Sequence, residues 1–334
     1  MKEILKHTFL FLITLVVVYL LVFSVLFFIK PGGIPYIYRA TQGNISNGGG
    51  TWIKFQKFDK KTKWDIIVLG SSHAYRGYDP EIFKEHGYKM YNLGTSNQHM
   101  LCTYEIAKNY INKDNCKMVI LDMYDRVFSN DQIESHSDFI QNITDDHVAW
   151  DIAFRTHDIR SLNMITLRYF NKFLPPINTD TIGYVNGFKV NKKFLDPKTE
   201  KNKTTTWKYK SIPDQIAYLN KLLDYLQAEG IKVVAVEHPL PPLYTINNHQ
   251  AFLADILPLF SKHHIQFLDY TYDEGFKNIR LFSDPTHLNH FGVRKFNERL
   301  ITDFVKDNIF TAKIPGQSFV SGGGMITKHH KDNE

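Results

Sequence analysis

Five short apolar runs restrict what this chain can fold into. They are WDIIVLG (64–70), YKMYNLG (88–94), CKMVILDMYD (116–125), IKVVAVEHP (231–239) and IQFLDY (265–270). Each is bounded by Gly, Pro, Asp or Asn, and none alternates strictly between apolar and polar residues. A strand with one face in water would alternate, so these read as strands covered on both faces. Helical patterns lie between or beyond them. MLCTYEIAKNYINK (100–113) carries apolar residues at a period near 3.6. IPDQIAYLNKLLDYLQAEG (212–230) has Pro213 in its first turn, Leu219, Leu222, Leu223 and Leu226 on one face, and Gly230 as its stop. HQAFLADILPLFSKH (249–263) and HFGVRKFNERLITDFVKD (290–307) complete the set. Strands alternating with helices predict βα units, a parallel sheet and a three-layer α/β domain.

The first 30 residues stand apart. From Phe9 to Ile29 no residue is charged, and as a helix at ~1.5 Å per residue this run spans about 30 Å, the thickness of a bilayer's hydrocarbon core. It is too long for a cleaved signal peptide, no A-x-A-like site follows it, and no face of it is polar enough for a half-buried core helix. It predicts an uncleaved, single-pass signal anchor over 1–30. Lys2 and Lys6 precede the run, which places the N-terminus inside and the rest of the chain on the periplasmic or extracellular side of the cell membrane. Residues 31–62, with Pro31 and Gly48 to Gly50, read as a linker. The α/β domain is expected over 63–313, interrupted by a helical insertion at about 126–211, with a disordered tail over 314–334.

Forty basic against 34 acidic residues give a net charge of +6, and the lysines are scattered, so a nucleic-acid partner is not expected. Cys102 and Cys116 are equally compatible with a disulfide and with two small core residues. There is no C-x-x-C and no H-E-x-x-H, and the chain is expected to need no metal and no cofactor.

Parallel sheets place their sites at the C-terminal ends of the strands. Ser71 and Ser72 follow the first strand, in VLGSSHAYRG. A serine that attacks an ester needs an imidazole to take its proton, a carboxylate to orient that imidazole, and N–H donors for the oxyanion. After the fifth strand, SDPTHLNHFG (283–292) places Asp284 and His287 three residues apart, so that in a turn they share a face. Asp284 or Thr286 could equally cap the last helix. After the second strand, YNLGTSNQ supplies Gly94, whose backbone could approach an oxyanion closely, with Asn97 and Gln98 as side-chain donors. Arg76 could meet an acidic sugar or phosphate, and His238, ending the fourth strand, could line the same pocket. His290, three residues after His287, is the rival base.

Together these blocks resemble the SGNH/GDSL hydrolase superfamily. Gly70-Ser71-Ser72 stands where that family has Gly-Asp-Ser, Asn92-Leu93-Gly94 matches its second block, and Asp284 and His287 match its D-x-x-H. The resemblance covers about 64–125 and 230–307. It implies a flavodoxin-like α/β/α fold, with Ser72 as nucleophile, His287 as base and then acid, and Asp284 as its orienting group. One block departs: the family's Gly-x-Asn-Asp is replaced by LDMYD (121–125), with Tyr124 where the oxyanion Asn would fall. With a membrane anchor and GSS at the nucleophile, the chain is similar to the bacterial cell-envelope branch. That branch implies acyl transfer to, or removal from, a surface polysaccharide or acylated carrier, beside a membrane-bound acyl-transfer partner. The altered third block also fits a fold without turnover, serving as a binding or assembly component of a polysaccharide modification or export complex.

Overall fold

A computed structural model describes residues 1–33, 35–40, 49–129, 133–173, 183–196, 205–242, 244–247 and 249–310. The five apolar runs form one parallel sheet: β1 (Trp64–Leu69), β2 (Met90–Asn92), β3 (Cys116–Met123), β4 (Lys232–Glu237) and β5 (Gln266–Asp269). Their order across the sheet is β2-β1-β3-β4-β5. Val68 pairs with Asn92 on one side and Ile120 on the other, and Met123 pairs with Glu237. Strand order reverses at β1, so β1 and β3 diverge into the crevice where doubly wound sheets hold their ligands. The expectation of an α/β fold with a parallel sheet flanked by helices is met.

Strands β1 to β4 are buried on both faces, as their unbroken apolar runs require, whereas β5, at the edge of the sheet, is only partly covered. Ile67 and Leu69 of β1 and Val119, Leu121 and Met123 of β3 enter the larger core. Their neighbours Ile66, Val68, Met118 and Ile120 enter the smaller one on the other face. The larger core is closed by helices α5 (Met100–Tyr110), α9 (Pro213–Ala228) and α10 (His249–Lys262). The smaller is closed by α4 (Pro80–Glu85) and α11 (His290–Lys306), where Phe296 meets Tyr78 edge-on.

The N-terminal helix α1 (Lys2–Phe28) is long and apolar enough to cross a membrane. Most of it is exposed, but Phe23 and Phe27 are buried against Phe170 at ring distances of 5.1 and 5.2 Å. Phe170 belongs to the insertion, whose helices are α6 (Ile133–Asn142), α7 (Asp146–Arg155) and α8 (Ile159–Asn171). Helices α7 and α8 are separated where His157 takes a positive φ of 49° and Asp158 caps α8.

The expected linker over 31–62 is corrected in its second half. Helix α2 (Gly50–Lys57) buries Ile53, Lys54 and Phe55, and Phe58 follows it into the larger core. Phe55 stacks on Tyr110 at 4.9 Å, and Phe58 packs edge-on against Tyr91 at 5.0 Å. Those rings bury enough apolar surface to fix a segment that its glycines mark as loose. Cys102 and Cys116 are separate, buried thiols. The tail over 314–334 lies outside the described residues, as does most of the Lys- and Thr-rich stretch after Asp196.

Candidate active site

Ser72 opens a short helix, α3 (Ser72–Gly77), immediately beyond β1. Ser71 caps α3, its Oγ accepting from the His73 amide at 3.3 Å, and Asp79 caps α4. The turn needs two glycines. Gly70 has φ 142°, and a Cβ there would fall 2.8 Å from the Asp122 backbone oxygen. A Cβ on Gly94 would fall 2.6 Å from that of Ala74, so β2's exit packs directly on the nucleophile helix.

The structure brings Ser72, His287 and Asp284 together. His287 Nε2 lies 2.8 Å from Ser72 Oγ. Its Nδ1 lies 2.8 and 3.0 Å from the two Asp284 oxygens. Asp284 also shapes the turn that presents the ring: Oδ1 accepts from the amides of Thr286 and His287, both at 3.0 Å. The last helix has a different cap, Asn289, so Asp284 caps the 284–287 turn and not α11. Burial opposes ionisation of Asp284, but its hydrogen bond from His287, the Thr286 amide and the Arg76 charge outweigh it and hold the carboxyl below the usual carboxylate range. Arg76 Nη1 is 3.8 Å from Asp284 Oδ2. His290, the rival base, starts α11 and packs on Phe291 and Phe194 at ring distances of 4.0 and 5.8 Å.

The three expected oxyanion donors are engaged elsewhere. The Gly94 amide donates to Asn92 Oδ1 at 3.0 Å. Gln98 is fully buried; its Nε2 donates to Leu93 O and Thr95 Oγ1, both at 3.2 Å, while its Oε1 accepts from the Gly70 amide at 3.0 Å. Asn97 takes a positive φ of 52° and donates to Glu134 Oε2 at 3.2 Å. A tight βα turn leaves several backbone groups without ladder partners, and these side chains satisfy them. The Ser72 amide is the donor left at the serine: it belongs to the first residue of a helix and meets no acceptor among the described residues.

Three aromatic rings form the wall beside His287. His73 is sandwiched between Tyr124 at 3.8 Å and His238 at 3.7 Å, and its edge faces His287 at 5.1 Å. Burial, then the neighbouring imidazoles, push His73 well below its ordinary pKa, and burial takes His238 down to about 3. Both rings are neutral at pH 7, so the wall adds no cation next to His287. Tyr124, found where an oxyanion Asn was expected, is part of this wall. The stack escaped the sequence reading because its members are far apart in the chain and fit no motif.

Lys54 also escaped it. Its Nζ donates to the Gly94 carbonyl and sits 4.0 Å from the Tyr75 ring centre, while burial lowers its pKa to about 7. On the open side, Arg76 and Asp284 line a cavity of about 490 Å³ with Lys189, Asn191, Lys193 and Ser283. The lysines come from the insertion, whose hairpin pairs Tyr184–Val185 with Phe188–Lys189 and accepts the Asn92 amide on Asn186 O at 2.8 Å.

The sheet order is that of a doubly wound, flavodoxin-like α/β fold, and Ser72, His287 and Asp284 meet beyond the C-terminal ends of its strands. Solved structures similar to the chain include one described as an acylhydrolase from Bacteroides fragilis, 12% identical, with a TM-score of 0.41 over 78% of this chain and 95% of that one. Another is a GDSL-like lipase from Bacteroides thetaiotaomicron, 12% identical, with a TM-score of 0.37 over 75% of this chain and 89% of that one. At this distance the likenesses say nothing of chemistry. No family model matches the chain. No curated protein matches it.

Proposed function

We propose that this chain is a serine acyltransferase or esterase, held by α1 in the cell membrane with its α/β domain on the outer side, acting on an acyl ester of a cell-surface polymer. The observation that carries the reading is the 2.8 Å contact between Ser72 Oγ and His287 Nε2, backed by Asp284 on the other ring nitrogen. In this reading His287 accepts the Ser72 proton as Oγ attacks the acyl carbonyl. Asp284 fixes the tautomer and stabilises the imidazolium. The Ser72 amide donates to the oxyanion. Collapse releases the alcohol, protonated by His287, and leaves an acyl-serine. Water or an acceptor hydroxyl, deprotonated by the same ring, then takes the acyl group. The cavity beside Asp284 carries Arg76, Lys189 and Lys193, a wall suited to an anionic polymer.

The test is hydrolysis of a small acetyl ester by the full chain in detergent, with and without a polysaccharide acceptor. Turnover that disappears in Ser72→Ala supports the proposal, and a rate increase with acceptor marks transfer. One observation favours a second reading, a binding or assembly role without turnover: Gly94, Asn97 and Gln98 all donate within the fold. A folded protein with no turnover of any ester would select that reading.

A further inference from the structure

A second polar cluster lies at the ends of β4 and β5, with Glu237 and Asp125 next in sequence to His238 and Tyr124 of the aromatic wall. Glu237 ends β4, Asp269 ends β5, and His249 begins α10. Their nearest ligand atoms all lie within 4.8 Å of one another. His249 Nε2 is 3.9 Å from Glu237 Oε2 and 3.4 Å from Asp269 Oδ2. Ligands held at ~2.1 Å around a tetrahedral ion lie about 3.4 Å apart, so the His249–Asp269 pair already has that spacing, the His249–Glu237 pair is about half an ångström wide of it, and the set as a whole has to contract from within 4.8 Å.

A second observation points to a ligand. Glu237 is 2% exposed and Asp125, just past β3, is 0% exposed, and all four of their carboxylate oxygens lack a hydrogen-bond partner among the described residues. The Thr271 hydroxyl lies against Glu237 and Asp269. Asp125 is close enough to feel both His249 and Glu237 electrostatically. A buried carboxylate without donors is costly, and a protonated one still needs an acceptor for its O–H. Nor does a protonated His249 suffice, since its one Nε2–H cannot serve three carboxylates.

We propose that Glu237, His249 and Asp269, with Asp125 behind them, bind one divalent first-row transition-metal ion. An imidazole among carboxylates favours zinc or manganese over magnesium or calcium, which prefer oxygen ligands alone. The ion joins the ends of β3, β4 and β5 to the start of α10. It acts as a structural tie: the chain neighbours of Asp125 and Glu237, Tyr124 and His238, stack on His73 beside His287. The sequence expectation of no metal site rested on short motifs, and these ligands are too widely spaced to form one.

The experiment uses the full chain in detergent, stripped with EDTA and dialysed against zinc or manganese. Metal content is read by mass spectrometry and thermal midpoint by scanning. The expected result is one equivalent more metal in the wild type than in Glu237→Gln, and a midpoint about 5 °C higher with metal than without at saturating concentrations. Glu237→Gln removes a buried charge at constant shape, so its metal-free midpoint should equal or exceed that of the wild type. Asp269→Asn, at a more exposed ligand, provides the second variant and should lower affinity at least tenfold. Equal metal content in wild type and Glu237→Gln, or a wild-type midpoint indifferent to metal, overturns the proposal.

Discussion

Replacing Lys54 by Met removes a titrating group from the larger core, and the structure fixes how the effect should depend on pH. Lys54 is 2% exposed, and burial, only partly offset by Asp138, lowers its pKa from 10.5 to about 7. Between those values the unfolded chain holds a proton that the folded chain has released, so wild-type stability must rise with pH across that window. Integrated from pH 7 to pH 9, the gain is about 2 kcal/mol. Met cannot titrate, so Lys54→Met lacks this gain. It also leaves the Gly94 carbonyl without its donor, a cost of ~1–3 kcal/mol that is the same at both pH values. The assay is the thermal midpoint of the full chain in detergent, wild type and variant, at pH 7 and pH 9. The wild-type midpoint should climb relative to the variant's by about 5 °C over that interval. Parallel profiles would show that Lys54 keeps its ordinary proton affinity, and the account of α2 as a buried, pH-sensitive brace would fail.

Two further perturbations test the site and its support. Asp284→Asn keeps an oxygen to accept from the amides of Thr286 and His287 but loses the acceptor that fixes the ring tautomer; ester turnover should fall by about 10³ to 10⁴ while the thermal midpoint moves by less than a few degrees. Gly94→Ala forces a Cβ to within 2.6 Å of that of Ala74, and thermal unfolding should show a loss of about 1–3 kcal/mol, together with reduced turnover because Ala74 lies on the nucleophile helix.

Much of this molecule was legible in the sequence because the signals were local. Each sheet strand is an apolar run with a punctuating residue, and buried parallel strands need little more. Asp284 and His287 were legible because three residues of a turn place both on one side, and Ser72 because it follows a strand. The oxyanion donors were misread for the converse reason. Gly94, Asn97 and Gln98 are the right residue types in the right place, but a tight βα turn has backbone groups of its own to satisfy, and those claims came first. Helix α2 was hidden by the glycines before it, although Ile53 and Phe55 within it and Phe58 just after it are buried. The stack of His73 with Tyr124 and His238 is brought together by three separate strand ends, a juxtaposition that requires the strand order before it can be seen.

The proposed chemistry requires Ser72 to be an activated nucleophile. The direct measurement is labelling of the full chain by a fluorophosphonate, with the adduct located by peptide mass spectrometry. A single adduct is expected on Ser72, retained in Ser71→Ala and lost in Ser72→Ala and His287→Ala. A folded wild-type protein that takes no label, or that carries it on another residue, would contradict it.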